Sequence, residues 1–237
     1  MSASPGAVDL LAFGPHPDDI EIGIGGLVAK HARRGDRVGL CDLTAGEMGS
    51  NGTIDERLAE AEEARGVLGA AWRVNLRLPD RALGSHPDHA RAIARIVRQA
   101  RPRAVAVPYW SDRHPDHVAA SALLTDAIFN AGLRRHVVED LAAWKPQWVC
   151  YYFINDAAPP TFVVDVSDDY ETKRRALACH RSQFRPGDAA AVQTRLTSAR
   201  FTQLIESRDA QFGALAGVAF AEGVVVKEPV VREGILK

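Results

Sequence analysis

Short apolar runs alternate with longer amphipathic segments along the first half of the chain. The runs "VDLLAFG", "RVGLCDLT", "WRVNL" and "AVAVPYW" predict buried strands. The segments between them, such as "HARAIARIVRQARP", place apolar residues at helical spacing and predict helices. The helix "TIDERLAEAEEARGVLGA" is predicted to begin with a capping box made by Thr53 and Glu56. Strand followed by helix in this order predicts βαβ units.

The second half of the chain continues with "WVCYYF" and "FVVDV", which predict two more strands. Helices are predicted around residues 169–183 and 197–213, and "FAEGVVVKEPV" predicts a final strand or extended segment. We therefore expect an α/β fold with a mostly parallel sheet and helices on both faces. No linker or repeat interrupts the pattern, so one domain is predicted across residues 1–237. In such sheets ligands bind beyond the carboxyl ends of the strands.

Composition narrows the classes of partner. The chain is 46% hydrophobic and 25% charged with a formal net charge of −1, so no bulk field attracts nucleic acid or an anionic membrane. The three cysteines form no CxxC pair, and neither a disulfide framework nor a cysteine zinc site is predicted. The N-terminus lacks the features of a signal peptide, and no apolar run is long enough to span a bilayer. We expect a cytoplasmic protein.

The tripeptide His-Pro-Asp occurs in "PHPDD" (residues 15–19), "SHPDH" (85–89) and "RHPDH" (113–117). The first and third copies follow predicted strands closely and are expected at strand carboxyl ends. The copy at 85–89 follows a loop and leads into a helix. There Ser85 is predicted to cap the helix, Pro87 to occupy its first turn and Asp88 to act as the capping-box acid. This copy is predicted to start a helix, with His86 and His89 away from any metal.

The other two copies carry metal-ligand chemistry. His16 and Asp19 are close enough on a tight turn to face one ion, and His117 can supply a third ligand from a neighbouring strand end. Two imidazoles and a carboxylate, with an open position for water, form the pattern of a catalytic zinc site. The same ligand set also suits Fe²⁺. The alternative is that both histidines only cap helices.

Three further residues of these motifs have predicted catalytic roles. Asp18 is placed to take a proton from water activated by the metal. His114 can face the cavity as a cation that stabilises an oxyanion or protonates a leaving amine. Asp116 can hold that imidazole in one tautomer and raise its pKa. The alternative for Asp116 is a favourable charge at a helix N-terminus.

At this point the sequence resembles a known family. "FGPHPDDIEIGIGG" and "DRHPDH" resemble the two signatures of the LmbE-like (PIG-L) zinc-dependent N-acetylglucosamine deacetylases. "DLTAGEMGSNGTIDERLAEAEEA", "LRLPDRAL" and "ESRDAQFGALAGVAFAEGV" are similar to the subgroup that deacetylates N-acetylglucosaminyl-malate in bacillithiol biosynthesis. The resemblance extends from about residue 9 to residue 225. It implies a Rossmann-like fold, zinc on the three predicted ligands, and a sugar substrate from which acetate is released.

The resemblance also implies a functional arginine, which falls on Arg57 and is a candidate, with His114, for stabilising the oxyanion. Its alternative is a salt-bridged helix arginine. Arg57 and Arg113 are the candidates for binding substrate carboxylates. Relatives assemble as trimers or hexamers, so a homo-oligomer is implied. Two features depart from the family: Pro15 stands where alanine is usual, and no match is found for the tyrosine that some relatives use near the oxyanion.

Three alternatives stay open. Another N-acetylglucosaminide, such as a chitooligosaccharide or a mycothiol-type precursor, would leave the chemistry unchanged. The segment "GIGG" superficially resembles a dinucleotide-binding loop, but Val28 stands where its third glycine would fall. Close packing of a helix on the sheet is the preferred interpretation of these glycines. The third alternative is a non-catalytic metal-binding protein, against which Asp18 argues, because a storage site needs no base.

Overall fold

The computed structural model describes residues 5–184 and 191–231. In chain order the strands are β1 Leu10–Gly14, β2 Val38–Thr44, β3 Trp72–Leu78, β4 Ala104–Pro108, β5 Trp148–Tyr152, β6 Phe162–Asp165 and β7 Ala221–Val225. The helices are α1 Asp19–Arg33, α2 Ile54–Leu68, α3 Pro87–Ala100, α4 Pro115–Ala131, α5 Tyr170–Cys179, α6 Arg181–Phe184 and α7 Ala199–Ala216, with a 3₁₀ turn at Ser167–Asp169. The helix predicted around 169–183 is interrupted at His180, whose backbone is not helical.

The strands form one sheet in the order β3-β2-β1-β4-β5-β7-β6. Strands β1 to β5 pair in parallel, and β7 pairs antiparallel with both β5 and β6. The predicted mostly parallel sheet is therefore confirmed. The chain winds outward in one direction from β1 to β3 and in the other from β4 onward. The switch point between β1 and β4 is where α/β sheets of this kind bind their ligands.

Both faces of the sheet are covered. Along β1, Leu10 and Ala12 pack into a core with α1, α2 and α5. Leu11 and Phe13 point the other way and pack with α3 and α4. This alternation follows from the two-residue period of a strand. It explains why the strand sequences read as continuous apolar runs, and it confirms the prediction of helices on both faces.

The second helix begins with the predicted capping box. The Thr53 side chain accepts the N–H of Glu56, and the Glu56 carboxylate accepts the N–H of Thr53 at 2.7 Å. The start of α3 is one residue away from the prediction. His86, not Ser85, is the N-cap, and its Nδ1 accepts the N–H of Asp88 at 3.2 Å. Because Pro87 already has the backbone torsion of a first helical residue, the boundary moves to the residue before it.

The helix α1 contains a break at Ile24, whose backbone torsions are not helical. The N–H groups of Gly26 and Leu27 beyond this break donate to the Glu222 carboxylate in β7, at 2.9 and 2.6 Å. Lys173 Nζ lies 2.7 Å from the same carboxylate and balances its buried charge. The second part of α1 thus has its own acidic partner at its N-terminal end.

The glycines of "GIGG" lie inside α1 and not in the turn that precedes it. A β-carbon at Gly23 would lie 2.3 Å from the Tyr152 ring, and one at Gly26 would lie 2.9 Å from Val166. Both distances are shorter than atoms can approach. The structure therefore supports close packing of α1 as the role of these glycines, in place of a dinucleotide-binding loop.

We expect Gly23→Ala to destabilise the protein by roughly 1–3 kcal/mol, the usual cost of overpacking a well-packed core. The free energy of unfolding in denaturant measures this. Gly66→Ala in α2 is the matched control, since no atom lies within 4 Å of a β-carbon there. That change should stabilise the helix by up to about 1 kcal/mol. Equal effects of the two substitutions would contradict the packing role of Gly23.

Three predictions about the whole chain are not decided by these observations. The single domain across residues 1–237 includes positions outside the described ranges and stays a prediction. Within residues 5–184 and 191–231, no helix has both the length and the apolar character needed to cross a membrane. The cytoplasmic location and the trimer or hexamer stay predictions.

Candidate active site

A cleft of about 280 Å³ opens at the carboxyl ends of β1 and β4, at the switch point of the sheet. The turn between β1 and α1 contributes His16 and Asp19 to its lining, and the start of α4 contributes His114 and His117. Arg57 reaches the cleft from the first turn of α2. The parallel pairing of β1 with β4 brings the two motifs together, because both strands end at the same edge.

The three predicted metal ligands meet in this cleft. Asp19 Oδ2 lies 2.9 Å from His16 Nδ1, and Asp19 Oδ1 lies 3.3 Å from His117 Nε2. One donor atom from each residue lies within 4.8 Å of the other two. Two neutral nitrogens and one anionic oxygen at this spacing fit a divalent cation. A second group, His16 with His114 and Asp116, meets the same distance criterion and shares His16 with the first.

Two aspartates that were not predicted from the sequence contact the imidazole rings of His16 and His117. Asp80 Oδ1 is 3.2 Å from His16 Nε2, and Asp112 Oδ1 is 3.1 Å from His117 Nδ1. Carboxylates in this position orient the imidazoles of metal sites. Burial alone would lower the pKa of His117, but the charges of Asp19 and Asp112 outweigh it and raise the pKa to about 9.

A signal for both aspartates was present in the sequence. Asp80 lies in "LRLPDRAL", shortly after β3, and Asp112 directly precedes "RHPDH", shortly after β4. Both positions follow the carboxyl ends of parallel strands. The rule that located the histidines therefore extends to these acids.

Asp18 is a buried carboxylate, and one of its two oxygens accepts no hydrogen bond from the described residues. Its Oδ2 has no hydrogen-bond donor among the described residues and lies 3.5 Å from Arg57 Nη2. Its φ of 145° is in a region that side chains rarely adopt, and such strain concentrates at functional sites. Burial raises the pKa of Asp18 to about 6, although the Arg57 charge opposes the shift. Asp18 can therefore exchange a proton near neutral pH.

Arg57 is 5% exposed, and its guanidinium forms hydrogen bonds with the protein backbone. Its guanidinium donates to the carbonyls of Gly46 at 2.9 Å and Pro17 at 3.3 Å. These bonds join the loop after β2 to the turn that carries Asp18. The geometry fits an arginine that positions Asp18 better than one that extends toward substrate.

His114 caps α4, and its Nδ1 accepts the N–H of Asp116 at 3.2 Å. The Asp116 carboxylate instead accepts from the Arg81 backbone and side chain, both at 2.9 Å. Asp116 therefore sets the His114 tautomer through its backbone amide, in contrast to the predicted carboxylate contact. Burial and the charges of His117 and His16 lower the pKa of His114 despite the opposing charge of Asp116. The Asp116 charge thus acts in the predicted direction, but the net shift is downward and favours a neutral ring with its proton on Nε2.

Arg113 lies on the rim of the cleft and is exposed. It makes no hydrogen bond or ion pair with any other residue in the described ranges. Its guanidinium is therefore available to a ligand, unlike that of Arg57.

Comparison with known proteins agrees with this site. The family model described as "PIG-L: GlcNAc-PI de-N-acetylase" matches residues 11–128, which include both histidine motifs of the cleft. The diacetylchitobiose deacetylase of Thermococcus kodakarensis is 30% identical over 229 residues, covering 91% of this chain and 81% of that protein. The probable N-acetyl-alpha-D-glucosaminyl L-malate deacetylase 2 of Bacillus subtilis is 25% identical over 193 residues, covering 73% of this chain and 82% of that protein.

Among solved structures, the conserved protein TT1542 of Thermus thermophilus superposes with a TM-score of 0.87. It is 36% identical and the match covers 96% of this chain and 98% of that one. The resemblance drawn from the two signatures is thus confirmed at the level of the family. The chain belongs to the PIG-L family of de-N-acetylases.

Proposed function

We propose that this protein hydrolyses the N-acetyl group of an N-acetylglucosamine conjugate and releases acetate, using a divalent metal. The observation that carries the proposal is the cluster of His16, Asp19 and His117 next to the buried carboxylate of Asp18, whose Oδ2 accepts no hydrogen bond from the described residues. Family membership supports the class of amide hydrolase. Zinc is the proposed ion and Fe²⁺ the alternative, because two imidazoles and a carboxylate suit both.

The proposed mechanism assigns each proton to a residue of the chain. His16, Asp19 and His117 would hold the zinc ion, which would supply Lewis acidity toward the substrate carbonyl and water. Asp18 accepts the proton of the attacking water, since its Oδ2 has no competing donor and its pKa is near neutral. His114 donates its Nε2 proton as a hydrogen bond to the developing oxyanion. Asp18 then returns this proton to the nitrogen of the substrate, the C–N bond breaks, and the amine and acetate leave as the two products.

Two substrate classes are separated by charge. N-acetylglucosaminyl-malate carries carboxylates that the unpartnered Arg113 can bind, which supports it as a substrate. N,N'-diacetylchitobiose is neutral, and it is favoured by the higher identity to the Thermococcus enzyme, 30% against 25% for the Bacillus protein. A mycothiol-type precursor, also neutral, remains a further alternative with the same chemistry.

Acetate release by the zinc-loaded protein from these three substrates tests the proposal. If the malate conjugate is the substrate, Arg113→Ala should raise its KM and lower kcat/KM by roughly 10- to 100-fold, the value of a charged hydrogen bond. Turnover of diacetylchitobiose should not change. Arg103→Ala is the control, because Arg103 is exposed at the opposite end of β4. Absence of acetate from all three substrates would contradict the proposed activity, and preference for a neutral substrate would contradict only the malate assignment.

A further inference from the structure

The tetrapeptide His-Pro-Asp-His occurs twice, at 86–89 and 114–117, with the same local structure. In each copy the first histidine caps a helix and its Nδ1 accepts the N–H of the aspartate two residues on, at 3.2 Å. The second histidine of each copy, His89 or His117, is buried. The tetrapeptide alone therefore does not explain why only one copy reaches the metal ligands.

Copy 114–117 follows the carboxyl end of β4, beside β1, whereas copy 86–89 follows a loop. The two copies also differ in the residue two positions before the tetrapeptide. At the first copy this residue is Gly84, whose N–H donates to His89 Nδ1 at 3.2 Å. At the second copy it is Asp112, whose carboxylate oxygen lies 3.1 Å from His117 Nδ1. A backbone N–H can only donate and an ionised carboxylate can only accept. The Asn155 amide nitrogen also lies 3.4 Å from His117 Nδ1, but it donates to Asp112 Oδ1 at the shorter distance of 3.0 Å. The two histidines are thus held in opposite tautomers when neutral.

The tautomer of His117 determines which ring nitrogen can bind a metal ion. With its proton on Nδ1, the lone pair of the ring is on Nε2, and Nε2 is the nitrogen that lies 3.3 Å from Asp19. His89 has its free lone pair on Nδ1, where the Gly84 amide occupies it. Of these two rings, His117 is the one whose free nitrogen faces a proposed metal ligand, Asp19.

Asp112 is held firmly enough to impose this choice. Its side chain is 3% exposed. Oδ1 accepts the His114 N–H at 2.8 Å and the Asn155 amide at 3.0 Å, and Oδ2 accepts the Asn155 backbone N–H at 2.9 Å. These donors come from two elements, the start of α4 and the segment after β5. The carboxylate therefore has little freedom to turn away from His117.

We infer that Asp112 is a positioning residue that makes His117 a metal ligand by keeping the imidazole proton on Nδ1 and presenting Nε2 to the ion. The inference rests on the proposed metal site. It assigns the difference in tautomer between His89 and His117 to Gly84 and Asp112, which lie outside the repeated tetrapeptide.

The first test measures the Zn²⁺ affinity of the metal-free protein by competition with a chromophoric chelator. Asp112→Asn should weaken binding roughly 10- to 100-fold, as removal of such a partner does in other metal sites. Asp112→Glu, which restores a carboxylate, should recover part of this loss. Asp88→Asn removes the same charge from an exposed position in the other copy and should leave the affinity unchanged. Wild-type affinity in Asp112→Asn would overturn the inference.

The second test needs no change at Asp112, so it remains decisive if the Asn variant does not fold. Nitrogen-detected NMR of the metal-free wild-type protein, at a pH above the His117 pKa of about 9, reports which ring nitrogen carries the proton, with His89→Gln used for assignment. We expect His117 protonated on Nδ1 and His89 on Nε2. The same tautomer in both rings would overturn the inference. Failure of the wild-type protein to bind Zn²⁺ would overturn the proposed function as well, whereas binding with unaltered affinity in Asp112→Asn would overturn this inference alone.

Discussion

Replacement of Asp18 by asparagine should lower turnover by roughly 10²- to 10⁴-fold while the protein keeps its zinc, the loss typical of removing a general base. The amide has the size of the carboxylate, so the strained turn and the contacts of Arg57 can persist, but it cannot accept the proton of water. The unpaired Oδ2 is the atom that would lose its function. The measurement is kcat together with the zinc content of the same sample.

The neighbouring residue provides the contrast for this experiment. Asp19→Asn changes the same functional group one position along the chain, but Asp19 contacts both His16 and His117. It should weaken zinc binding, whereas Asp18→Asn should not. Loss of zinc from Asp18→Asn would make Asp18 a ligand, and unchanged turnover would remove its role as the base.

His117→Ala should abolish turnover. It should also weaken zinc binding by more than the roughly 10- to 100-fold expected when a residue such as Asp112, which contacts a ligand and not the metal, is replaced. His89→Ala should leave both unchanged. The two side chains are similarly buried, at 3% and 8% exposure, and each follows the same three residues. A difference between the variants therefore reports the position of each ring relative to the metal site and not burial alone.

Stability is the necessary control for the histidine pair. His117→Ala leaves the buried Asp112 carboxylate without one hydrogen-bond partner, a cost of about 1–3 kcal/mol. The unfolding free energies of the metal-free variants identify this contribution before metal affinities are compared. Zinc bound to His117→Ala with wild-type affinity would direct attention to the second group, His16 with His114 and Asp116.

The part of the candidate site that lies at the ends of strands could be predicted from the sequence. Apolar runs mark the strands, parallel strands end at one edge, and His16, Asp19 and His117 follow two adjacent strands. The capping box of α2 was also predictable, because Thr53 and Glu56 interact within a single turn. These features depend on local pattern and on a general rule of α/β topology.

Other features depend on contacts between distant segments, which a local pattern does not contain. The Asp116 carboxylate turns to Arg81 because the loop after β3 brings a backbone amide and a guanidinium to it. The lowered pKa of His114 needs rings from two motifs in one place. Arg57 lines the cleft, but its hydrogen bonds to Gly46 and Pro17 could not be predicted from the sequence of its helix.

Glu222, which accepts the N–H groups of Gly26 and Leu27 in α1, limits how far the chain can be truncated. The residues proposed to hold metal all lie within the 11–128 span that defines the family match. Glu222 lies outside it, 196 residues after Gly26. A fragment trimmed to the family boundaries would contain every proposed ligand and still leave the amides of Gly26 and Leu27 without their acceptor. We therefore expect the smallest fragment that folds to include the last strand of the sheet and to be longer than the span of the signature motifs.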